Sequence, residues 1–308
     1  MTDPRLPAPL KRGDVIGIIA PAGQIANTHE FETGLSILNE MGYEPRFPRN
    51  LWPGTGYLAD NDSARSNELQ RMWLDDEVAA VMTLRGGYGC LRLAPQLNFD
   101  LRGKKAKFLI GFSDITILHT LLFQQTGMIS LHGPVLTTLC HSSLPALERF
   151  FACLAGQFRK PIEAPGNLEI LRGGDDVCGD LIGGNLSSMV SLLGTPFVPE
   201  WQGKILFLEE VGEPLYRIDR MLMQLSLAGV FNQVHGIILG DFMGDTVQDT
   251  LERMRFHEQA WGRIVELTAQ SSIPIWANFP IGHMADNLTL PHGAKATMDS
   301  YRATLSFD

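Results

Sequence analysis

The chain has 308 residues, of which 44% are hydrophobic, a formal net charge of −9 and a pI near 5.4. That length and apolar content suffice for one large or two ordinary domains with full cores. The acidic balance excludes nucleic acid as the main partner, because phosphate binding needs a basic surface and no run of Lys and Arg offsets the deficit.

The N-terminus, Met1-Thr2-Asp3-Pro4-Arg5-Leu6-Pro7-Ala8-Pro9, lacks the unbroken apolar segment of a signal peptide. No later stretch approaches the roughly 18 apolar residues of a membrane span. A soluble, cytoplasmic protein is expected, with no membrane partner. Cys90, Cys140, Cys153 and Cys178 are scattered without a Cys-x-x-Cys pair, which fits buried free thiols in a reducing compartment and no zinc knuckle.

The first half alternates short apolar runs with amphipathic stretches. Residues 15–19 read as a strand, 30–41 as a helix, 78–84 as a strand, 108–112 as a strand and 115–123 as a helix. Such alternation implies a parallel sheet whose sites collect at the carboxyl ends of the strands. Ala20-Pro21-Ala22-Gly23, Arg85-Gly86-Gly87-Tyr88-Gly89 and Phe112-Ser113-Asp114 should therefore share one edge. Between about residues 156 and 184 the chain turns Gly-, Pro- and Asp-rich, with Ala164-Pro165-Gly166-Asn167 and Arg172-Gly173-Gly174-Asp175-Asp176, and a domain junction is placed here. Beyond it come a helix at 185–193, a strand at 204–208, a helix at 216–227, a strand at 236–240, a helix at 250–270, a strand at 274–278 and a last strand at 303–307.

Ser113 falls at a strand-to-helix corner, where the first amides of the helix favour an anion. Such a serine caps the helix or serves as a nucleophile, and capping is the commoner role. The loop Arg85-Gly86-Gly87-Tyr88-Gly89 lacks the spacing of a dinucleotide site and the lysine of a P-loop, so it is either a simple turn or a donor of amides to an oxyanion. Glu209 and Glu210 close an apolar strand and Glu213 follows. They are either a solvated rim or pocket carboxylates. His283 sits on a constrained loop after Pro280 and Gly282, and His132 in Leu131-His132-Gly133-Pro134 is a second candidate. No histidine spacing proposes a metal. Serine, acid and histidine in that order also occur in α/β-hydrolases, but Ile115 stands where their second elbow glycine belongs.

Taken together, Ile18-Ile19-Ala20-Pro21-Ala22, Leu84-Arg85-Gly86-Gly87-Tyr88-Gly89, Ile110-Gly111-Phe112-Ser113-Asp114, His132-Gly133-Pro134, Gly183-Gly184-Asn185-Leu186, Leu208-Glu209-Glu210-Val211-Gly212-Glu213, Tyr216-Arg217-Ile218-Asp219-Arg220-Met221-Leu222, Gly236-Ile237-Ile238-Leu239-Gly240 and Gly282-His283 resemble the LD-carboxypeptidase family of Ser-Glu-His peptidases. That family includes the muramoyltetrapeptide carboxypeptidases and the microcin-immunity peptidases. The resemblance implies an α/β protein: a flavodoxin-like N-terminal domain with a parallel sheet (1–160) carrying the nucleophile, and a smaller mixed α/β C-terminal domain (161–308) carrying the glutamate and histidine. The active site would lie in the interdomain cleft. It makes Ser113 the nucleophile, His283 the general base and Glu209 the orienting acid, with Glu210 and Glu213 as neighbours that could replace Glu209. Amides of Asp114 and Gly87 or Gly86 would bind the oxyanion, and Arg85, His132 and Arg217 are candidates for substrate binding.

The implied activity is hydrolysis of the L,D-peptide bond that releases terminal D-alanine from murein tetrapeptides in peptidoglycan recycling. It needs neither metal nor cofactor, and a homodimer is expected. The alternatives are a microcin-immunity type hydrolase of peptidyl-aminoacyl nucleotides, which would want an aromatic side chain to stack the base, Trp52 or Trp201 being available although a buried core or surface role is the commoner one for each, and a non-catalytic protein that binds a small ligand.

Overall fold

The computed structural model describes residues 4–48, 51–99, 105–163, 166–243 and 249–308. The first residues of the N-terminus and the Ala164-Pro165 part of the expected junction lie outside the described residues. In chain order the front half carries β1 (Val15–Ile19), α1 (Thr28–Glu40), β2 (Glu44–Arg46), α2 (Asp62–Leu74), β3 (Val78–Thr83), α3 (Cys90–Leu93), β4 (Phe108–Gly111), α4 (Thr116–Thr126), β5 (Ser130–His132) and α5 (Leu144–Leu154). The back half carries β6 (Glu169–Arg172), β7 (Val177–Asn185), α6 (Leu186–Ser191), β8 (Ile205–Val211), α7 (Leu215–Leu227), β9 (Gly236–Met243), α8 (Thr250–Leu267), β10 (Ile275–Ala277), β11 (Leu290–His292), β12 (Lys295–Asp299) and β13 (Thr304–Phe307).

The chain divides into two units, Met1–Phe158 with Ala285–Gly293 and Arg159–Met284 with Ala294–Asp308. In the first, the sheet order is β11-β5-β4-β3-β1-β2. The pairs among β1 to β5 are parallel and β11 runs antiparallel to β5. The order 2-1-3-4-5 is that of flavodoxin-like sheets, in which the chain reverses its direction of travel between β1 and β3. Strands β3 and β4 are almost continuously buried, as parallel strands covered on both faces must be. Helix α1 begins where the Asn27 side chain accepts the His29 amide, and its buried Phe31, Gly34 and Leu38 form one stripe at helical spacing. The carboxyl ends of β1, β3 and β4 share one edge of this sheet, because the three strands are adjacent and parallel.

Three histidines fill the core beneath that edge. His119 Nε2 lies 2.8 Å from the Gly111 carbonyl and its Nδ1 2.8 Å from Ser130 Oγ, while its ring stacks on His292 with centroids 5.5 Å apart. Burial pushes the His119 pKa down to about 4, so the packed ring is neutral at pH 7. His132 belongs to the same cluster and is fully buried.

In the second unit the order is β13-β12-β7-β8-β9-β10-β6. Strands β7, β8, β9 and β10 are parallel, with β12 and β6 antiparallel at the flanks. Helix α7 buries Ile218, Leu222 and Leu225, an i, i+4, i+7 stripe.

Three expectations need correction. The turn-rich reading of 156–184 hides β6 and the nine-residue β7, the latter in the interior of its sheet. Residues 285–293 belong with the first unit, because β11 extends its sheet beside β5. Cys90 and Cys153 are buried free thiols, but Cys140 is only partly covered and Cys178 is exposed. Trp52 and Trp201 are buried, at 8% and 5% exposure, the core role expected for them over base stacking. No helix among the described residues is long and apolar enough to cross a membrane.

Candidate active site

The corner after β4 holds Ser113 at φ +66°, in the left-handed region that non-glycine residues seldom occupy. The serine is partly exposed and its side chain caps neither the short 3₁₀ turn Ser113–Ile115 nor α4. The capping role is thus not the one it plays. A strained corner that lifts a hydroxyl over a helix N-terminus is the geometry of a nucleophile elbow.

The glycine loop after β3 packs directly against this corner. A Cβ on Gly86 would sit 2.8 Å from Ser113 Cβ and 3.0 Å from Ser113 Oγ, so only glycine admits the loop this close. The next residue, Asp114, turns its carboxylate inward, and its Oδ2 accepts the Cys90 amide at 2.8 Å, fastening the far end of the loop to the corner. Burial pushes the Asp114 pKa up, and hydrogen bonds from Cys90 partly oppose this. Arg65, itself buried, donates to the carbonyls of Pro21 and Gly89 and pairs with Asp62 at 2.5 Å, so the loops after β1 and β3 share one brace. Among the described residues the Gly86 and Gly87 amides donate to no acceptor.

Beside Gly86 and Gly87 is a concavity of about 550 Å³, lined by Gly23 and Gln24 from the loop after β1 and by Arg85, Gly87 and Tyr88 from the loop after β3, with Tyr57 across from them. The tyrosines were not singled out from the sequence. Their signal was Tyr88 itself, an aromatic side chain inside a glycine loop, where no core position requires one.

In the second unit, Glu209 and Glu210 lie near the end of β8, where the register with β9 slips between Leu208 and Glu210. Adjacent strand residues face opposite ways, and the two carboxylates accordingly serve different partners. Glu209 is fully buried and its Oε2 lies 2.8 Å from His283 Nδ1. Its Oε1 meets no donor among the described residues, so His283 is the partner of this carboxylate. Glu210 is occupied elsewhere: it accepts from Asn185 Nδ2 at 3.0 Å, from the Ser187 amide at 2.8 Å and from Ser187 Oγ at 2.6 Å, bracing the start of α6. Glu213 pairs with Arg217 at the surface, 3.3 Å away.

His283 is held by its loop. The Phe279 amide donates to the Leu239 carbonyl and the Asp241 amide to the Ile281 carbonyl, stapling the loop to β9. Gly282 has φ +121°, and a Cβ there would lie 3.2 Å from both Glu209 Cβ and Asp241 Cβ. Burial pulls the His283 pKa down, but the Glu209 charge and hydrogen bond, helped by Glu210 and Asp241, outweigh it and leave the pKa above 6.5.

The structure therefore joins Glu209 to His283 in one unit, and Ser113 to Asp114, Gly86 and Gly87 in the other. Of the candidates for substrate binding, Arg85 lines the concavity, His132 lies in the core and Arg217 is an exposed residue engaged with Glu213 and the Tyr216 ring. Among the described residues no group of His, Cys, Asp and Glu side chains is arranged to hold a metal ion.

Comparison with known proteins agrees with this architecture. Residues 16–133 match the family model for the LD-carboxypeptidase N-terminal domain and residues 178–298 that for the LD-carboxypeptidase C-terminal domain. The chain belongs to the LD-carboxypeptidase family. It is 36% identical to a probable murein peptide carboxypeptidase of Bacillus subtilis, over 97% of this chain and 92% of that protein. It is 34% identical to the murein tetrapeptide carboxypeptidase of Pseudomonas aeruginosa, over 93% and 94%. Among solved structures, an MccF-like protein of Bacillus anthracis superposes with a TM-score of 0.85 at 28% identity, over 98% of this chain and 99% of that one.

Proposed function

We propose that this protein is a serine carboxypeptidase that hydrolyses the L,D-peptide bond of murein tetrapeptides and releases terminal D-alanine. The observation that carries the reading is Ser113 at φ +66° beside the Gly86 and Gly87 amides, which meet no acceptor among the described residues. With Nδ1 of His283 engaged by Glu209, Nε2 takes the Ser113 proton as Oγ attacks the carbonyl of the L-residue. The amides of Asp114 and of Gly87 or Gly86 receive the negative charge on the carbonyl oxygen. The C–N bond breaks as the imidazolium protonates the departing amine. Water then attacks the acyl ester, His283 takes its proton, and that proton returns to Ser113 Oγ. Glu209 keeps the imidazole in the tautomer this requires and stabilises its cation. The sequence resemblance is the ground for expecting a homodimer acting in the cytoplasm during peptidoglycan recycling.

Relatives matched at 34–36% identity carry murein peptide names, whereas the MccF-like structure is matched at 28%. Mass spectrometry of purified protein incubated with murein tri-, tetra- and pentapeptides tests the proposal. The tetrapeptide should lose one D-alanine and the tripeptide should stay intact. An unchanged tetrapeptide overturns the reading.

A further inference from the structure

We propose that the concavity beside Ser113 is the subsite for the substrate's terminal carboxylate, with Arg85 as the group that reads it and Tyr88 and Tyr57 as its wall. The proposal rests on the hydrolase reading above and names what makes the enzyme act only at a chain end.

Position supports it first. In a sheet of order 2-1-3-4-5, the loops after β1 and β3 diverge at the point where the connections reverse, and such a crevice is where open α/β sheets bind ligands. The concavity is built from those two loops, Gly23 and Gln24 on one side and Arg85, Gly87 and Tyr88 on the other. It borders the nucleophile closely: the Gly23 amide donates to the Gly86 carbonyl at 3.2 Å, and Gly86 abuts Ser113. In the substrate, the terminal carboxylate is separated from the scissile nitrogen by a single carbon, so its receptor must be next to the nucleophile.

Chemistry supports it second. Arg85 is partly buried and no carboxylate among the described residues lies within ion-pair distance of it. Its Nη1 donates to the Gln24 carbonyl at 3.1 Å, which orients the guanidinium and leaves its other donors for a ligand. Arg92, Arg217 and Arg263 show the contrast, since each of these arginines is paired with an acid. A planar fork of donors matches a carboxylate in a bidentate manner, which an amide or ester cannot reproduce. The rings of Tyr57 and Tyr88 lie 5.8 Å apart, are 63% and 50% exposed, and offer an apolar wall to the stem of the terminal residue.

The test is a cycle of two enzymes and two peptides. Wild type and Arg85→Gln are assayed on an L-Lys-D-Ala-terminated peptide and on the same peptide with a terminal carboxamide. Wild type should prefer the free acid by roughly 30- to 100-fold in kcat/KM, the size of a hydrogen-bonded charge pair. Arg85→Gln should lose most of that preference by losing activity on the acid alone, and Arg85→Lys should keep part of it. If Arg85 only braces the Gln24 loop, the substitution lowers both peptides equally, and that outcome overturns the proposal. Binding of the two peptides to Ser113→Ala reads the same preference without turnover. Absent turnover would then count against the hydrolase reading, while the acid-to-amide ratio in binding still decides the role of Arg85.

Discussion

Ser113→Ala should lower kcat for D-alanine release by about 10⁶-fold, the loss typical when the nucleophile of a serine hydrolase is removed. The size follows from the geometry of the corner. Ser113 is held in a left-handed conformation over the start of a helix, and its side chain caps neither that helix nor the turn before it, so among the described residues the hydroxyl makes no capping bond that alanine would forfeit. Alanine tolerates φ +66° as poorly as serine does, and the backbone strain is unchanged. The melting temperature should therefore stay that of the wild type while turnover vanishes. A drop in melting temperature that parallels the loss of activity would mean that the serine is a structural element of the corner. Turnover at the wild-type rate would remove it from the chemistry altogether.

Glu209→Gln should cost about 10⁴-fold in kcat and move the acid limb of the pH profile. A carboxamide can turn its NH₂ toward His283 Nδ1, which forces the proton onto Nε2 and leaves the base without a lone pair at the nitrogen meant to act. The pH effect has a definite sign. In the wild type the Glu209 charge overcomes burial and holds the His283 pKa above 6.5, so kcat/KM should fall as pH drops through a value higher than that of an ordinary histidine. Without that charge the burial effect gains ground, the imidazole protonates only at lower pH, and the residual activity should persist to more acidic conditions than in the wild type. Measuring kcat/KM from pH 5 to 9 for both enzymes checks this. An acid limb that does not move, or moves upward, contradicts the assignment of Glu209. The same substitution at Glu210 should act mainly on stability, because that carboxylate braces Asn185 and Ser187.

Much of the first unit was legible because its strands are short apolar runs and parallel strands carry their sites at one edge. β1 came out with the expected bounds and β3 within one residue. Strand β7 was hidden for a physical reason. Gly179, Gly183 and Gly184 break its apolar pattern, and at Gly179 and Gly183 the neighbouring backbone is too close for a side chain: a Cβ would stand 2.2 Å from the Gly203 carbonyl oxygen and 1.9 Å from the Phe207 carbonyl oxygen, respectively. Helix α2 gave no apolar stripe because two of its five buried residues are Arg65 and Ser66, the former spent on backbone carbonyls of distant loops. The return of residues 285–293 to the first unit depends on a long-range pairing with β5 that no local pattern announces.

At the site, the residue types were readable and their division of labour was only partly so. Glu209 and Glu210 are neighbours of the same kind, and the strand's alternation alone does not say which face holds His283. The register slip beside Leu208 and the staple of Ile281 on Asp241 set that choice. His132, in a segment that resembles the family pattern, packs in a histidine core beneath the elbow, so a motif position need not be a contact position.

The central claim is that Ser113 is activated by His283, two residues far apart in the chain and carried by different units. Stoichiometric labelling by a serine-directed phosphonate, read as the mass of the peptide containing residue 113, tests it most directly. The wild type should be modified at Ser113 alone, and His283→Ala should slow that modification by roughly 10³-fold. Labelling of Ser113 at the same rate with and without the imidazole would show that the two residues do not act together.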